Sequence, residues 1–150
     1  MTERTLAAVD PGVEGVGLAI GFGSGVVLLV EYRPFDSLSA LRLDLRHRAE
    51  RLICEVPQAY RTGLLKGDPN DLIAVALVAG VALSSCDVVR RVHPHTWKGN
   101  VPKDIHNARI LAKATPAVRA SLSKIRSTVR HNAIDALGLY QWAVENWKVV

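Results

Sequence analysis

An apolar run that ends in a carboxylate and a forced turn is the feature that most constrains how this chain folds. Residues 5–9 predict a buried strand, and Asp10 follows it directly. Pro11 and Gly12 then force a turn, after which residues 16–20 predict a second strand. Asp10 is therefore expected at the rim of a sheet. A carboxylate there either hydrogen-bonds the turn backbone or holds a divalent cation, and this motif alone does not separate the two.

A second acid occupies a similar position further along the chain. Residues 52–54 form another short apolar run, and Glu55 ends it. Val56 and Pro57 follow, and proline cannot continue the hydrogen-bonded ladder of a strand. Glu55 is therefore predicted at the end of a strand, as Asp10 is.

A third acid lies near the start of a predicted helix. Residues 132–147 have helical periodicity, and Asp135 lies off their apolar stripe. His131 and Asn132 precede Asp135 by four and three residues, so both can share its face of the helix. Acids so far apart in sequence can meet only through the fold.

Composition narrows the class of protein. The chain has 150 residues and a mass of 16.3 kDa, which predicts one domain over residues 1–150. A hydrophobic content of 49% with 22% charged residues argues against disorder. The net charge of +5 and a pI near 9.6 favour an anionic partner, with nucleic acid as the first choice.

Cysteine usage and the N-terminus indicate a cytoplasmic protein. Cys54 and Cys86 lack metal-ligand spacing, so we expect small buried hydrophobic side chains in a reducing compartment. Residues 1–4 lead straight into a strand, which predicts no signal peptide. The apolar stretch at 72–83 is too short for a bilayer, which needs about 20 residues, and predicts a buried core helix.

The order of the predicted elements indicates an α/β fold with a mixed five-stranded sheet flanked by helices. Three strands precede the first helix, and strands and helices then alternate. The predicted strands lie at about 4–10, 14–21, 25–32, 50–55 and 88–92, and the predicted helices at about 37–48, 70–85, 103–114, 116–125 and 131–147.

This order, with the placement of the acids, resembles the RuvC family of Holliday junction resolvases in the ribonuclease H-like superfamily, with a phage-type member as one option. Four motifs carry the resemblance: Asp10-Pro11-Gly12 followed by Gly15-Val16-Gly17, Glu55 at the end of the fourth strand, Asp135-Ala136-Leu137 with His131 upstream, and Lys98-Gly99-Asn100-Val101. The turn in the first motif is about two residues shorter than is usual in the family.

The resemblance implies metal-dependent cleavage of phosphodiester bonds. Asp10, Glu55 and Asp135 would be catalytic residues that hold two Mg²⁺ or Mn²⁺ ions about 4 Å apart. His131 would be a further catalytic residue that orients water or protonates the leaving oxygen. Family members usually have Asp or His three residues before the final Asp, where this chain has Asn132. The fourth site residue is therefore either His131 or Asn132, and a helix-terminal His131 without any role is the alternative.

The resemblance also implies a DNA-binding surface and a homodimer. Tyr60, Arg61, Lys66, Lys98 and Lys103 are the candidate contacts to a four-way junction. Stacking of a base on Tyr60 would contribute about 1–3 kcal/mol, although packing of Tyr60 on the core is equally compatible with the sequence. A junction has two-fold symmetry, which favours a two-fold dimer, and the apolar helix at 72–83 is either its contact or fully buried in one chain.

Three other functions compete with junction resolution. Another nuclease of the same superfamily would cut flaps, forks or RNA, and a non-catalytic module would bind junctions without cutting them. An actin-like ATPase also carries Asp-x-Gly after its first strand, but it needs two such domains and a second phosphate loop, for which 150 residues leave no room.

Overall fold

The computed structural model of the protein describes residues 3–59 and 67–148. The strands within these residues are β1 (Thr5–Pro11), β2 (Gly15–Phe22), β3 (Val27–Pro34), β4 (Arg51–Glu55) and β5 (Val88–Val92). The helices are α1 (Leu38–Arg48), α2 (Pro69–Leu83), α3 (Pro94–Lys98), α4 (Lys103–Lys113), α5 (Pro116–Ser123) and α6 (Ser127–Asn146).

The five strands form one mixed sheet, as the sequence predicts, and their order in the sheet is β3-β2-β1-β4-β5. The first three strands are a meander of antiparallel neighbours, whereas β4 lies parallel to both β1 and β5. Val9 pairs with Cys54 in the β1–β4 register. The next residues along the two strands, Asp10 and Glu55, therefore lie side by side at the same edge of the sheet.

Helices cover both faces of the sheet, so the central strands are apolar on both sides. One face packs on α1 and α2, with Val9, Leu18 and Leu45 in its core. The other face packs on the C-terminal helices, with Ala8 and Ile53 in its core. Asp10 and Glu55 have the same strand parity as Ala8 and Ile53, so they belong to the face that α6 covers.

Side-chain caps and prolines explain where several helices begin. Asp68 accepts a hydrogen bond from the Asn70 amide at 2.9 Å, and Pro69 occupies the first turn of α2, as the sequence predicts. One helix boundary differs from its predicted position by more than two residues, and one helix has no predicted counterpart. Helix α6 begins at Ser127, four residues before the predicted start at 131, and the short helix α3 was not predicted.

Close approach between α6 and β2 depends on Gly17. A Cβ atom at this position would overlap the backbone carbonyl of Asn132 and would stand 2.8 Å from the backbone nitrogen of Ala133. No residue larger than glycine fits there unless the helix moves. Gly17 therefore sets how closely the part of α6 that carries Asn132 approaches the sheet.

Helix α2 is buried along one side only. Val78 is 3% exposed, whereas Ile73 and Leu77 are 60% and 59% exposed. Full burial of this apolar helix within one chain, one of the two alternatives above, is therefore wrong. Within residues 3–59 and 67–148, no helix combines the length and the apolar character needed to cross a membrane.

The two cysteines are free thiols. Cys54 is fully buried in β4, as predicted, and burial together with the nearby charges of Asp10 and Glu55 raises the pKa of its thiol well above the usual range. Cys86 is only partly buried. Burial raises the pKa of the Cys86 thiol as well. Both cysteines are therefore protonated thiols near neutral pH.

Candidate active site

Asp10 is a buried carboxylate, 7% exposed, at the end of β1. The Asn132 side-chain amide on α6 donates a hydrogen bond to its Oδ2 atom at 3.1 Å. This bond crosses 122 residues of sequence and joins the first strand to the last helix. Asn132 thus contacts Asp10, whereas His131, one residue earlier, has an exposed side chain.

Glu55 ends β4 beside Asp10, and its carboxylate is held by the short helix α3. The indole Nε1 of Trp97 donates a hydrogen bond to Glu55 Oε2 at 2.7 Å. Trp97 itself is buried, and it packs against Ile110 and the α6 backbone at Gly138. The tryptophan therefore links the orientation of Glu55 to the packing of α3, α4 and α6.

Asp135 is buried on α6, 8% exposed, one turn beyond Asn132. The Lys98 ammonium group lies between Asp135 and Glu55. Its Nζ atom is 3.0 Å from Asp135 Oδ2 and 3.1 Å from Glu55 Oε2. It also stands 4.8 Å from the centre of the Trp97 ring, a cation–π contact. The fold therefore brings the three sequence-predicted acids together, with a lysine between two of them.

The pKa of Asp10 responds to the nearby charges of the other two acids. Burial raises the pKa of Asp10 well above its usual range, and the negative charges of Glu55 and Asp135 raise it further. The Lys98 charge and the Asn132 hydrogen bond act in the opposite direction but do not offset this. Burial lowers the pKa of Lys98, but the neighbouring carboxylates outweigh burial, so its pKa is raised and its ammonium group stays charged.

A cavity of about 280 Å³ opens beside Asp135. Two cationic side chains, Lys98 and Lys103, line it together with His106. His106 packs edge-on against Trp97, with ring centroids 5.1 Å apart, and burial, with the Lys98 and Arg109 charges, lowers its pKa. The lowered pKa makes His106 neutral near pH 7. The sequence suggested no role for this residue.

The predicted DNA contacts are only partly within the described residues. Tyr60, Arg61 and Lys66 lie outside them. Lys103 is exposed at the start of α4, as a phosphate contact requires. Lys98, predicted as another such contact, is instead ion-paired to two of the acids.

Metal-ligand geometry is incomplete in the present arrangement. Among residues 3–59 and 67–148, no group of three His, Cys, Asp or Glu side chains is placed to coordinate one ion. The donor chemistry nevertheless fits, because Asp10, Glu55 and Asp135 offer the carboxylate oxygens that Mg²⁺ and Mn²⁺ prefer. The ammonium of Lys98 stands between two of these donors.

Comparison with known proteins supports the fold strongly and the sequence relationship weakly. No family model matches the chain. A segment of 79 residues, 51% of the chain, is 29% identical to isoleucine–tRNA ligase of Rhodopseudomonas palustris. It spans only 8% of that ligase, so the match carries no function to this chain.

Similar solved structures are Holliday junction resolvases. Thermus thermophilus RuvC in complex with a Holliday junction substrate has a TM-score of 0.60 and 19% identity, covering 95% of this chain and 94% of RuvC. A second T. thermophilus RuvC structure has a TM-score of 0.55 and 18% identity, covering 94% and 95%. The Fowlpox virus resolvase with its junction DNA has a TM-score of 0.59 and 18% identity, covering 94% and 97%. The predicted RuvC-like, ribonuclease H-like fold is therefore confirmed.

Proposed function

We propose that this chain is a structure-selective endodeoxyribonuclease that resolves four-way DNA junctions by metal-dependent hydrolysis of phosphodiester bonds. The observation that carries the proposal is the convergence of Asp10, Glu55 and Asp135 from three separate elements of a resolvase-like fold. Asp10 and Asp135 are buried and Glu55 is partly buried. Folded proteins rarely bring such carboxylates together without a ligand, because the charges repel one another and burial penalises the charged forms.

We assign the three acids as ligands of Mg²⁺ or Mn²⁺, in a site for two ions. The raised pKa of Asp10, caused by burial and then by the charges of Glu55 and Asp135, indicates a site that favours added positive charge. When bound, the ions would supply an activated water and neutralise charge on the phosphate. The chain's own contribution is to hold the carboxylates at this edge of the sheet.

Two neutral hydrogen-bond donors orient the acids. The Asn132 amide holds Oδ2 of Asp10, and the Trp97 indole holds Oε2 of Glu55. Such bonds restrict the rotation of a ligating carboxylate, which is the usual role of the residues behind metal ligands. His131 and Asn132 are both proposed for the fourth site position, and the contact with Asp10 supports Asn132.

The DNA-binding part of the proposal rests on charge. The chain carries a net charge of +5, and Lys98 and Lys103 line the cavity beside Asp135. The exposed Lys103 would contact the phosphates around the cut, while Tyr60, Arg61 and Lys66 are proposed contacts on sequence grounds alone. We also propose that residues 1–150 form one nuclease domain. A junction nuclease needs access to DNA, so we propose the cytoplasm of a bacterial or phage-infected cell as its compartment.

We also propose that the chain acts as a homodimer. Ile73 and Leu77, one turn apart on α2, form an exposed apolar stripe, and Leu43 on α1 is also 58% exposed. Two symmetric cuts in a junction require two sites, and a two-fold dimer supplies them in matching orientation. The stripe on α2 is the surface we assign to the contact.

A cleavage assay on labelled junction, flap, duplex and RNA–DNA hybrid substrates tests the function. Asp10→Asn, Glu55→Gln and Asp135→Asn should each slow junction cleavage by at least ~100-fold, as loss of one group that stabilises the transition state does. Each variant should keep its fold and its DNA binding. Asp36→Asn, at an exposed acid before α1, is the matched control and should cleave normally.

Each alternative has its own result in this assay. Preferential cleavage of flaps or hybrids over junctions would contradict the junction assignment and keep the nuclease. Tight junction binding without cleavage in Mg²⁺ or Mn²⁺ would indicate a non-catalytic module. Near-normal turnover by any one acid variant would remove that residue from the ligand set.

A further inference from the structure

Lys98 is the residue of the site that sequence reasoning placed elsewhere. It was expected among the phosphate contacts, but its Nζ atom lies 3.1 Å from Glu55 Oε2 and 3.0 Å from Asp135 Oδ2. Its side chain is only 25% exposed. One ammonium group therefore bridges two carboxylates that belong to different elements, β4 and α6.

Two features hold the ammonium in this position. The Trp97 ring lies under it at 4.8 Å, and the same tryptophan donates its indole N–H to the Glu55 oxygen that Lys98 contacts. Lys98 and Trp97 are adjacent in α3, so the helix delivers both groups together. Lys98 is therefore fixed by specific contacts to the acids and to Trp97, unlike a lysine that extends along the surface into solvent.

We propose that Lys98 is a built-in counter-ion that occupies the acid cluster in the metal-free protein and competes with the divalent metal for Glu55 and Asp135. The inference rests on the proposed function in one respect, namely that these acids hold a metal. It adds that metal binding requires Lys98 to leave at least one of its two partners.

The competition follows from distances and charge. Mg²⁺ binds carboxylate oxygens at about 2.0–2.1 Å, so an ion on the same oxygens would stand within a few ångströms of the ammonium. Two like charges at that separation, in a largely buried site, repel strongly even with an effective dielectric constant near 20. The ammonium and the metal therefore cannot both contact Glu55 Oε2 and Asp135 Oδ2 at full strength.

The structure also provides somewhere for the lysine to go. The 280 Å³ cavity beside Asp135 is lined by Lys98 itself, with Gly99 and Asn100 next to it. A lysine side chain has four rotatable carbon–carbon bonds, so rotation can carry the ammonium into the cavity without movement of α3. There it would face the solvent and any phosphate that enters.

Calorimetric titration of the DNA-free protein with Mn²⁺ and with Mg²⁺ tests the proposal without an activity readout. Lys98→Met keeps the unbranched stem of the side chain and removes its charged ammonium group. The variant should bind metal at least ~tenfold more tightly than wild type, a difference of about 1.4 kcal/mol. Lys124→Met, at an exposed lysine after α5, removes the same charge elsewhere and should bind metal as wild type does.

Thermal unfolding of the same variants gives a second signature. Without metal, Lys98→Met should unfold at a lower temperature than wild type, because it leaves buried carboxylates unpaired. Added metal should stabilise it more than wild type, since stabilisation by a ligand grows with affinity. Unchanged or weaker metal binding by Lys98→Met, with wild-type binding intact, would overturn the competition and leave the proposed function standing.

Wild-type protein provides a test that does not depend on a variant folding. Reductive methylation followed by peptide mass spectrometry should label Lys98 more slowly than the exposed Lys103 without metal, and saturating Mn²⁺ should raise its labelling rate. Equal rates at Lys98 with and without metal would refute the proposal. Wild-type protein that neither binds metal nor cleaves any substrate would instead refute the proposed function and the inference with it.

Discussion

Substitution of Gly17 by alanine is the sharpest structural perturbation of this site. Gly17 lies on β2 directly opposite Asp10 in the register, and α6 crosses it. An added Cβ atom would overlap the carbonyl group of Asn132 and approach the nitrogen of Ala133 to 2.8 Å. These are backbone atoms of a helix, so no side-chain rotation can relieve the contact and α6 itself has to move.

The size of the effect follows from that geometry. Ordinary contact needs roughly 3.5–4 Å, and the overlap with the Asn132 carbonyl is closer than the contact with the Ala133 nitrogen, so α6 must retreat by roughly 1.5–2 Å at this point. Overpacking of this kind costs about 1–3 kcal/mol, and a backbone contact belongs at the upper end. The movement also stretches the 3.1 Å bond between Asn132 and Asp10, and a hydrogen bond to a charged group contributes about 1.5–3 kcal/mol. Alanine recovers about 0.4–1 kcal/mol through the unfolded chain. We therefore expect a net destabilisation of about 4–5 kcal/mol.

Urea unfolding followed by circular dichroism measures this difference, and Gly80→Ala is its matched control. Gly80 lies inside α2 with no atom within 4 Å of an added Cβ, so alanine there should stabilise the protein by about 0.4–1 kcal/mol. The measurement belongs at low protein concentration, because Gly80 lies on the helix assigned to the dimer. A Gly17→Ala variant within about 1 kcal/mol of wild type would refute the packing argument, since overpacking there should cost more. An equal loss of unfolding free energy in Gly80→Ala would also refute the packing argument.

Three further predictions concern other parts of the molecule. Asn132→Ala should slow junction cleavage more than His131→Ala, because Asn132 contacts Asp10, and the reverse order in single-turnover assays would assign the fourth position to His131. The Tyr140 hydroxyl donates its one hydrogen to the Phe22 carbonyl at 2.6 Å, and the Val26 carbonyl lies 3.2 Å away. Burial raises the pKa of Tyr140 to about 12 from an unfolded value near 10. Its contribution to stability is therefore complete below pH 10 and is lost as the pH rises towards 12, so Tyr140→Phe should flatten the pH dependence of unfolding in this window. Leu77→Asp should convert a dimer to a monomer in light scattering at micromolar concentration, and a wild-type monomer, both free and on junction DNA, would contradict the dimer.

Strand-end chemistry is what made the acids predictable. Asp10 and Glu55 each follow a short apolar run and precede a proline, so their places at the ends of strands are visible in local sequence. Their meeting also requires β1 and β4 to be parallel neighbours, a pairing that local sequence does not indicate and the structure shows. Burial on both faces of the sheet then explains why these strands are continuous apolar runs instead of alternating ones.

The residues that support the acids were less accessible to sequence reasoning. Helix α3 has five residues, too few to produce a periodic pattern, and it begins at Pro94 after an exposed histidine. Trp97 and Lys98 reach Glu55 across 42 and 43 positions of sequence, and no local signal indicates such a contact. The one available clue is a proline followed three residues later by a tryptophan, since proline is favoured in the first turn of a helix.

Sequence alone also did not show which of His131 and Asn132 faces Asp10. The sequence predicts that the last helix starts at 131, which would put His131 and Asn132 in its first turn. The helix begins at Ser127 instead. Both residues therefore lie inside α6, where a difference of one position rotates a side chain by about 100° around the helix axis. The rotation turns Asn132 towards Asp10 and leaves His131 exposed.

Two helices hold the acids, and this determines how the site responds when one of them moves. Helix α6 supplies Asn132 and Asp135, and its distance from the sheet depends on Gly17. Helix α3 supplies the Trp97 bond to Glu55, which Gly17 does not touch. Displacement of α6 near Gly17 should therefore disturb Asp10 and Asp135 directly, and Glu55 only through the packing of Trp97 against Gly138. If Lys98 is the counter-ion of the metal-free cluster, it stays with Glu55 in that case, because both its backbone and its tryptophan platform belong to α3.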